Sequence, residues 1–122
     1  MQVTEQEPPE SRLYSDRERV LRQIAELERD FTAIVASAAD GSAGSDDEHD
    51  PEGATVAFER QHVAALLAQA RAHLDAIGAA LRKADSGVYE ICDICGNPIG
   101  AERLAARPAS LTCVRCAPKR QT

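Results

Sequence analysis

Four cysteines near the C-terminus are the residues best suited to chemistry in this 122-residue chain. They form two pairs: Cys92 and Cys95, then Cys113 and Cys116, with 17 residues between the pairs. A C-x2-C-x15–20-C-x2-C pattern is typical of a structural zinc site. Because Zn²⁺ accepts four thiolates in a closed tetrahedron, we expect one structural Zn²⁺ with no open position for catalysis.

Two other roles for the cysteine pairs remain open at this point. A single CxxC also occurs in redox enzymes, and paired cysteines form disulfides in secreted proteins. The other candidate residues, His49, His62 and His73, are dispersed along the chain, and no nucleophile motif, P-loop or dinucleotide fingerprint is present. We therefore expect a protein that is not an enzyme, and tightly bound stoichiometric zinc would exclude the redox alternative.

Two apolar patterns indicate the helices that precede the cysteines. Ser15 and Glu18 resemble a capping box, which predicts that the first helix starts at Ser15. Thr55 is the expected start of the second helix. Each helix then carries an apolar seam with alternating steps of four and three, as in a coiled coil. The first comprises Val20, Ile24, Leu27, Phe31, Ile34 and Ala38, and the second Val63, Leu67, Ala70, Leu74, Ile77, Leu81 and Ala84.

The predicted fold class is mostly α: an antiparallel two-helix coiled-coil hairpin followed by a small C4 zinc finger. Ordinary helix-bundle packing is the alternative, but no third helix of similar length is apparent. The expected organisation is a flexible segment 1–14, the hairpin 15–85 with an acidic tip loop 39–55, the finger 86–117 and a tail 118–122.

Charge and composition narrow the possible partners. The net charge is −6, and residues 1–54 hold 14 acidic against 5 basic side chains. Nucleic-acid binders usually display a basic stripe, so direct sequence-specific binding to DNA or RNA is disfavoured. The N-terminus lacks the basic and apolar regions of a signal peptide, and no apolar run is long enough to cross a membrane. We expect a cytoplasmic monomer.

Residues 87–116, "GVYEICDICGNPIGAERLAARPASLTCVRC", resemble the zinc finger of the DksA/TraR family of bacterial transcription factors. The matching positions are Gly87, Tyr89, Cys92, Cys95, Gly96, Ile99, Arg103, Leu104, Arg107, Pro108, Cys113 and Cys116. The resemblance implies a zinc-stabilised regulator that inserts its hairpin into the secondary channel of RNA polymerase and modulates initiation. The alternative is a coiled-coil zinc-finger adapter for protein interactions that does not act on polymerase.

The resemblance also implies a role for the acidic tip, which would approach the catalytic magnesium region of polymerase. The family's tip motif is Asp-x-x-Asp followed by a small residue two positions later. In one register Asp47 and Asp50 supply both carboxylates, and in the other Asp50 and Thr55 fit. A merely solvated loop is the alternative. The candidate partner-binding residues are Asp46, Asp47, Glu48, Asp50 and Thr55.

Overall fold

The computed structural model describes residues 8–41 and 51–120, and these are mostly helical. Helix α1 spans Pro9–Gly41, α2 Pro51–Asp85, α3 Ala101–Ala106 and α4 Ala117–Arg120. Within these residues the β pairing is an isolated antiparallel bridge between Ile91 and Pro98. None of the helices described combines the length and the apolar character that a membrane span requires.

Helix α1 begins six residues before the predicted capping box. Pro9 occupies the first helical position, where its missing N–H removes no helical hydrogen bond. The Ser11 amide and hydroxyl both donate to the Pro8 carbonyl. Ser15 lies inside the helix, and its hydroxyl donates back to the Arg12 carbonyl at 3.1 Å. The prediction of a helix start at Ser15 is therefore wrong, and residues 9–14 are helical.

Helix α2 likewise begins earlier than predicted, at Pro51 instead of Thr55. Proline again fits the first helical turn because its fixed φ is compatible with the helix. Thr55 is an exposed residue of this helix. The acidic residues from Asp46 to Asp50 lie outside the described residues.

The chain divides into two compact units, and Val20–Ala72 forms one of them. Within it, Phe31 and Leu67 line one groove between the helices, and Ile34 and Val63 line another. Residue numbers thus rise along α1 as they fall along α2, so the helices are antiparallel, as predicted. Glu28 and Arg71 add an exposed ion pair at 2.8 Å. The predicted seam residues whose side chains are described in this unit are buried or half-buried, and Val20, Ile24, Leu67 and Ala70 are the most deeply buried.

The second unit combines the chain up to Arg19 with the chain from His73 onward. Its core includes Leu13 and Ile77, whose side chains are fully buried. The remaining buried apolar residues come from the end of α2 and from the cysteine-containing segment: Ala80, Tyr89, Cys92, Ile99, Leu104, Leu111, Cys113 and Cys116. The start of α1 is therefore part of the same core as the cysteine segment.

Helix α2 ends in a Schellman motif that directs the chain towards the cysteines. Gly87 adopts a φ of +80°, and its amide donates to the Ala84 carbonyl. The Val88 amide donates to the Lys83 carbonyl at 2.9 Å. A positive φ favours glycine, which explains the position of Gly87 immediately after the helix.

Candidate metal centre

Each cysteine pair lies in a tight turn that orients its sulfurs. In the first turn the Cys92 amide donates to the Asn97 carbonyl at 2.8 Å, and the Gly96 amide donates to the Cys92 carbonyl at 3.0 Å. Gly96 has a φ of +75°, a conformation that side chains disfavour. In the second turn the amides of Cys116 and Ala117 both donate to the Cys113 carbonyl. We call these segments, residues 92–97 and 113–117, the first and second knuckles.

The knuckles bring all four cysteine sulfurs together. These atoms lie within 4.8 Å of one another, and the sulfurs of Cys95 and Cys113 are 3.8 Å apart. A tetrahedron with metal–sulfur bonds of about 2.3 Å has edges of about 3.8 Å, so the spacing fits one zinc ion. Cys95 is exposed, whereas the other three cysteines are buried. The four thiols are therefore positioned to bind one metal ion, which supports the predicted structural zinc.

The electrostatics of the four thiols also favour a cation. Burial acts to raise the pKa of Cys92, but surrounding backbone N–H groups, including that of Ile94, outweigh it and lower the pKa to about 6. The backbone N–H of Cys116 is the main cause of a lowered pKa at Cys113. Burial, together with the neighbouring cysteines, raises the pKa of Cys116 to about 12. Four thiolates this close repel one another, and a divalent cation relieves that repulsion.

Tyr89 anchors the knuckles to the surrounding core. Its hydroxyl donates to the Pro108 carbonyl at 2.7 Å, and its side chain is buried. Burial, followed by the nearby carboxylate of Glu10, raises the pKa of Tyr89 to about 12. The tyrosine therefore remains a neutral hydrogen-bond donor throughout the physiological pH range.

Arginine side chains add two further connections within this unit. Arg103 lies in α3 and donates through Nε to the Thr112 carbonyl at 2.8 Å. Arg12 lies in α1 and donates to the Ala105 carbonyl at 2.7 Å. The sequence indicated Arg103 as a position that matches the DksA/TraR zinc-finger pattern. It gave no sign of the hydrogen bond from Arg12, whose partner Ala105 is 93 positions along the chain.

Lys83 is a further residue that sequence reasoning missed. It lies in the last turn of α2, and its ammonium pairs with the Asp93 carboxylate at 2.9 Å. The same ammonium donates to the Ile91 carbonyl. A lysine at a helix end shortly before a CxxC was the available signal, but helix-end cations are common and need no specific partner.

Among the described residues, Thr55 and the histidines are not ligands of this centre. Asp46, Asp47, Glu48 and Asp50 lie outside the described residues, and Thr55 is exposed on α2. His62 and His73 are exposed as well. Across residues 8–41 and 51–120, the four cysteines are the group of potential ligands whose atoms converge on a metal-sized site.

Comparisons with known proteins also indicate a four-cysteine zinc site in this segment. Residues 87–121 match the family model of the prokaryotic dksA/traR C4-type zinc finger. An uncharacterized protein YteA of Bacillus subtilis is 36% identical over 72 residues, which are 59% of this chain and 30% of that protein. The RNA polymerase-binding transcription factor DksA of Haemophilus influenzae is 45% identical over 40 residues, which are 33% of this chain and 28% of that protein.

The similarity to a solved structure extends beyond the finger. The transcription factor DksA2 from Pseudomonas aeruginosa matches with a TM-score of 0.52 and 26% identity, covering 94% of this chain and 84% of that one. The matches to the two curated relatives, by contrast, span less than a third of each relative's length. The likeness in fold therefore includes the helices as well as the cysteine-containing segment.

Proposed function

We propose, from the match of residues 87–121 to the dksA/traR C4-type zinc finger, that the chain is a transcription regulator that binds RNA polymerase. In this proposal the protein enters the secondary channel of polymerase and modulates initiation without catalysing a reaction. The zinc holds the finger together and takes no part in chemistry, because four thiolates leave it no open position.

The observation that carries the proposal is the joint match of finger and helices. A C4 finger alone occurs in proteins with many functions, since function resides in sites and not in folds. Here the finger matches a transcription-factor family, and the likeness to DksA2 covers 94% of the chain, including both long helices. The H. influenzae relative is itself an RNA polymerase-binding factor.

The proposed mechanism places the acidic residues between the two helices at the active-site region of polymerase. α1 ends at Gly41 and α2 begins at Pro51, so the segment between them connects two antiparallel helices. Asp47 and Asp50 keep the spacing of the family's carboxylate pair. Their proposed role is electrostatic: they bias charged elements near the catalytic metal, with no proton transfer or covalent step.

The first test is retention of core RNA polymerase on the immobilised, zinc-loaded chain. Retention at stoichiometric levels supports the proposal. Failure to retain polymerase would contradict it and favour the alternative of an interaction adapter with a different partner.

The second test separates the tip from the rest of the molecule. Asp47→Asn/Asp50→Asn removes two charges while keeping side-chain size. We expect this variant to fold, hold zinc and bind polymerase, yet to lose its effect in transcription assays across several promoters. The matched control is Asp75→Asn/Asp85→Asn, which removes two exposed carboxylates from α2 and should leave the effect intact. Equal activity of wild type and the tip variant would refute the role of the tip.

A further inference from the structure

Lys83 contacts the residues on both sides of Cys92, where the first knuckle begins. Its ammonium donates to the Ile91 carbonyl and pairs with the Asp93 carboxylate at 2.9 Å. Ile91 and Asp93 are the two neighbours of Cys92 in the chain. We propose that Lys83 is a positioning residue for the metal: it holds the first knuckle in its ligand-bearing conformation and links metal occupancy to the last turn of α2.

The backbone around Cys92 is fixed by a small set of hydrogen bonds to which Lys83 belongs. The Cys92 amide donates to the Asn97 carbonyl, and the Asp93 amide donates to the Leu111 carbonyl, close to the second knuckle. Lys83 contacts the carbonyl of Ile91, which precedes Cys92, and the carboxylate of Asp93, which follows it. Its three ammonium hydrogens allow both contacts at once. The Cys92 sulfur is thereby directed towards the other three.

The same residue closes α2. The backbone carbonyl of Lys83 accepts the Val88 amide in the Schellman motif, so its main chain ends the helix while its side chain holds the knuckle. The Lys83 side chain is only 12% exposed. Removing the partners of a largely buried ammonium is strongly destabilising, because it leaves a charge that neither water nor a counter-ion compensates. If the first knuckle changes conformation, the Lys83 ammonium loses both contacts and must be solvated. That change destabilises the last turn of α2, to which Lys83 belongs.

This arrangement makes the coupling reciprocal. The free energy by which bound metal strengthens the contacts of Lys83 equals the free energy by which those contacts strengthen metal binding. Groups that orient metal ligands without touching the metal typically change affinity by about 10- to 100-fold when removed. We expect an effect in that range because two contacts are lost together.

The test compares Lys83→Met with Arg82→Met. Methionine keeps an unbranched side chain of similar length and removes the charge, and Arg82 is the adjacent cation, exposed on the same turn. Zinc affinity is measured by competition with a chromophoric chelator. We expect Lys83→Met to bind zinc about 10- to 100-fold more weakly and Arg82→Met to stay within about twofold of wild type. Wild-type affinity in Lys83→Met would overturn the proposal.

A double-mutant cycle with Asp93→Asn tests the ion pair itself. If Lys83 acts through Asp93 and its neighbour, the double variant should bind zinc about as weakly as Lys83→Met alone, because the lysine is already absent. Losses that multiply in the double variant would show that the two residues act separately, which contradicts the proposal.

Unfolding of zinc-free protein distinguishes positioning from a general structural role. After chelation the knuckle no longer presents its two contacts, so zinc-free Lys83→Met should unfold at the same denaturant concentration as zinc-free wild type. The zinc-loaded variant should unfold earlier than zinc-loaded wild type. An equal loss of stability with and without zinc would mean that Lys83 only stabilises the helix, and would overturn the link to the metal.

Discussion

Replacing Leu13 by alanine tests whether the start of α1 is part of the core. The Leu13 side chain is fully buried, although the sequence placed it in a flexible segment. The substitution removes three carbon atoms, and at about 0.8 kcal/mol for each the lost transfer free energy is about 2.4 kcal/mol. An unfilled cavity raises the cost further, towards the upper end of the range of about 2–5 kcal/mol for such changes. We therefore expect unfolding free energy to fall by about 2.5–5 kcal/mol.

Leu21→Ala is the matched control, because Leu21 lies in the same helix and is 45% exposed. Urea unfolding of the zinc-loaded protein, followed by far-ultraviolet circular dichroism, gives both free energies. Both substitutions have the same effect on helix propensity, so their difference reports burial alone. If Leu13→Ala lowers the unfolding free energy no more than Leu21→Ala does, Leu13 is not buried in a core in solution, and the prediction is wrong.

Three further outcomes are expected. Elemental analysis should find one zinc per chain, and chelation should raise the rate of amide hydrogen exchange throughout residues 87–116. A zinc content far below one per chain, together with a disulfide between these cysteines under reducing conditions, would contradict this prediction. In a Tyr14→Phe variant, tyrosinate absorbance should titrate near pH 12, because burial and then the Glu10 carboxylate raise the pKa of Tyr89. Since the folded pKa is the higher one, the stability contributed by Tyr89 should be complete below pH 10 and decline as pH rises towards 12; a midpoint near 10 with the helices intact would refute this. Phe31→Ala should cost less than about 3 kcal/mol, the lower limit for a well-buried ring, because Phe31 is only half-buried. Urea unfolding measures it, and a larger loss would mean that the seam is tighter than described.

The cysteine centre was predictable because the information is local. Two residues separate the cysteines within each pair, and turns with this spacing direct both sulfurs to one side. The seam in Val20–Ala72 was predictable for a similar reason. Apolar residues at alternating steps of four and three mark one face of a helix, and short-range periodicity suffices to find it.

The start of α1 was not predictable, because its stability comes from distant residues. Ser15 and Glu18 form a strong local signal for a helix start, whereas the helix begins at Pro9. Leu13 shares a core with the finger, and Arg12 reaches a carbonyl 93 positions along the chain. No local pattern records such contacts. Lys83 was missed on the same grounds, since a cation at a helix end shows its partner only after the chain has turned at Gly87.

The unit that contains the cysteines is discontinuous in sequence, and this bears on the order in which the chain folds during synthesis. Ribosomes add about 5–20 residues per second, so roughly 5–20 s separate Arg12 from its partner Ala105. The unit Val20–Ala72 is continuous and can pair its two helices in the interval. Most of the stability of a helix in a protein comes from tertiary packing of its apolar face, and for the start of α1 that packing lies in the cysteine-containing unit. The first residues of α1 therefore leave the ribosome early but acquire their native neighbours late, when the second knuckle emerges and a metal ion can be captured.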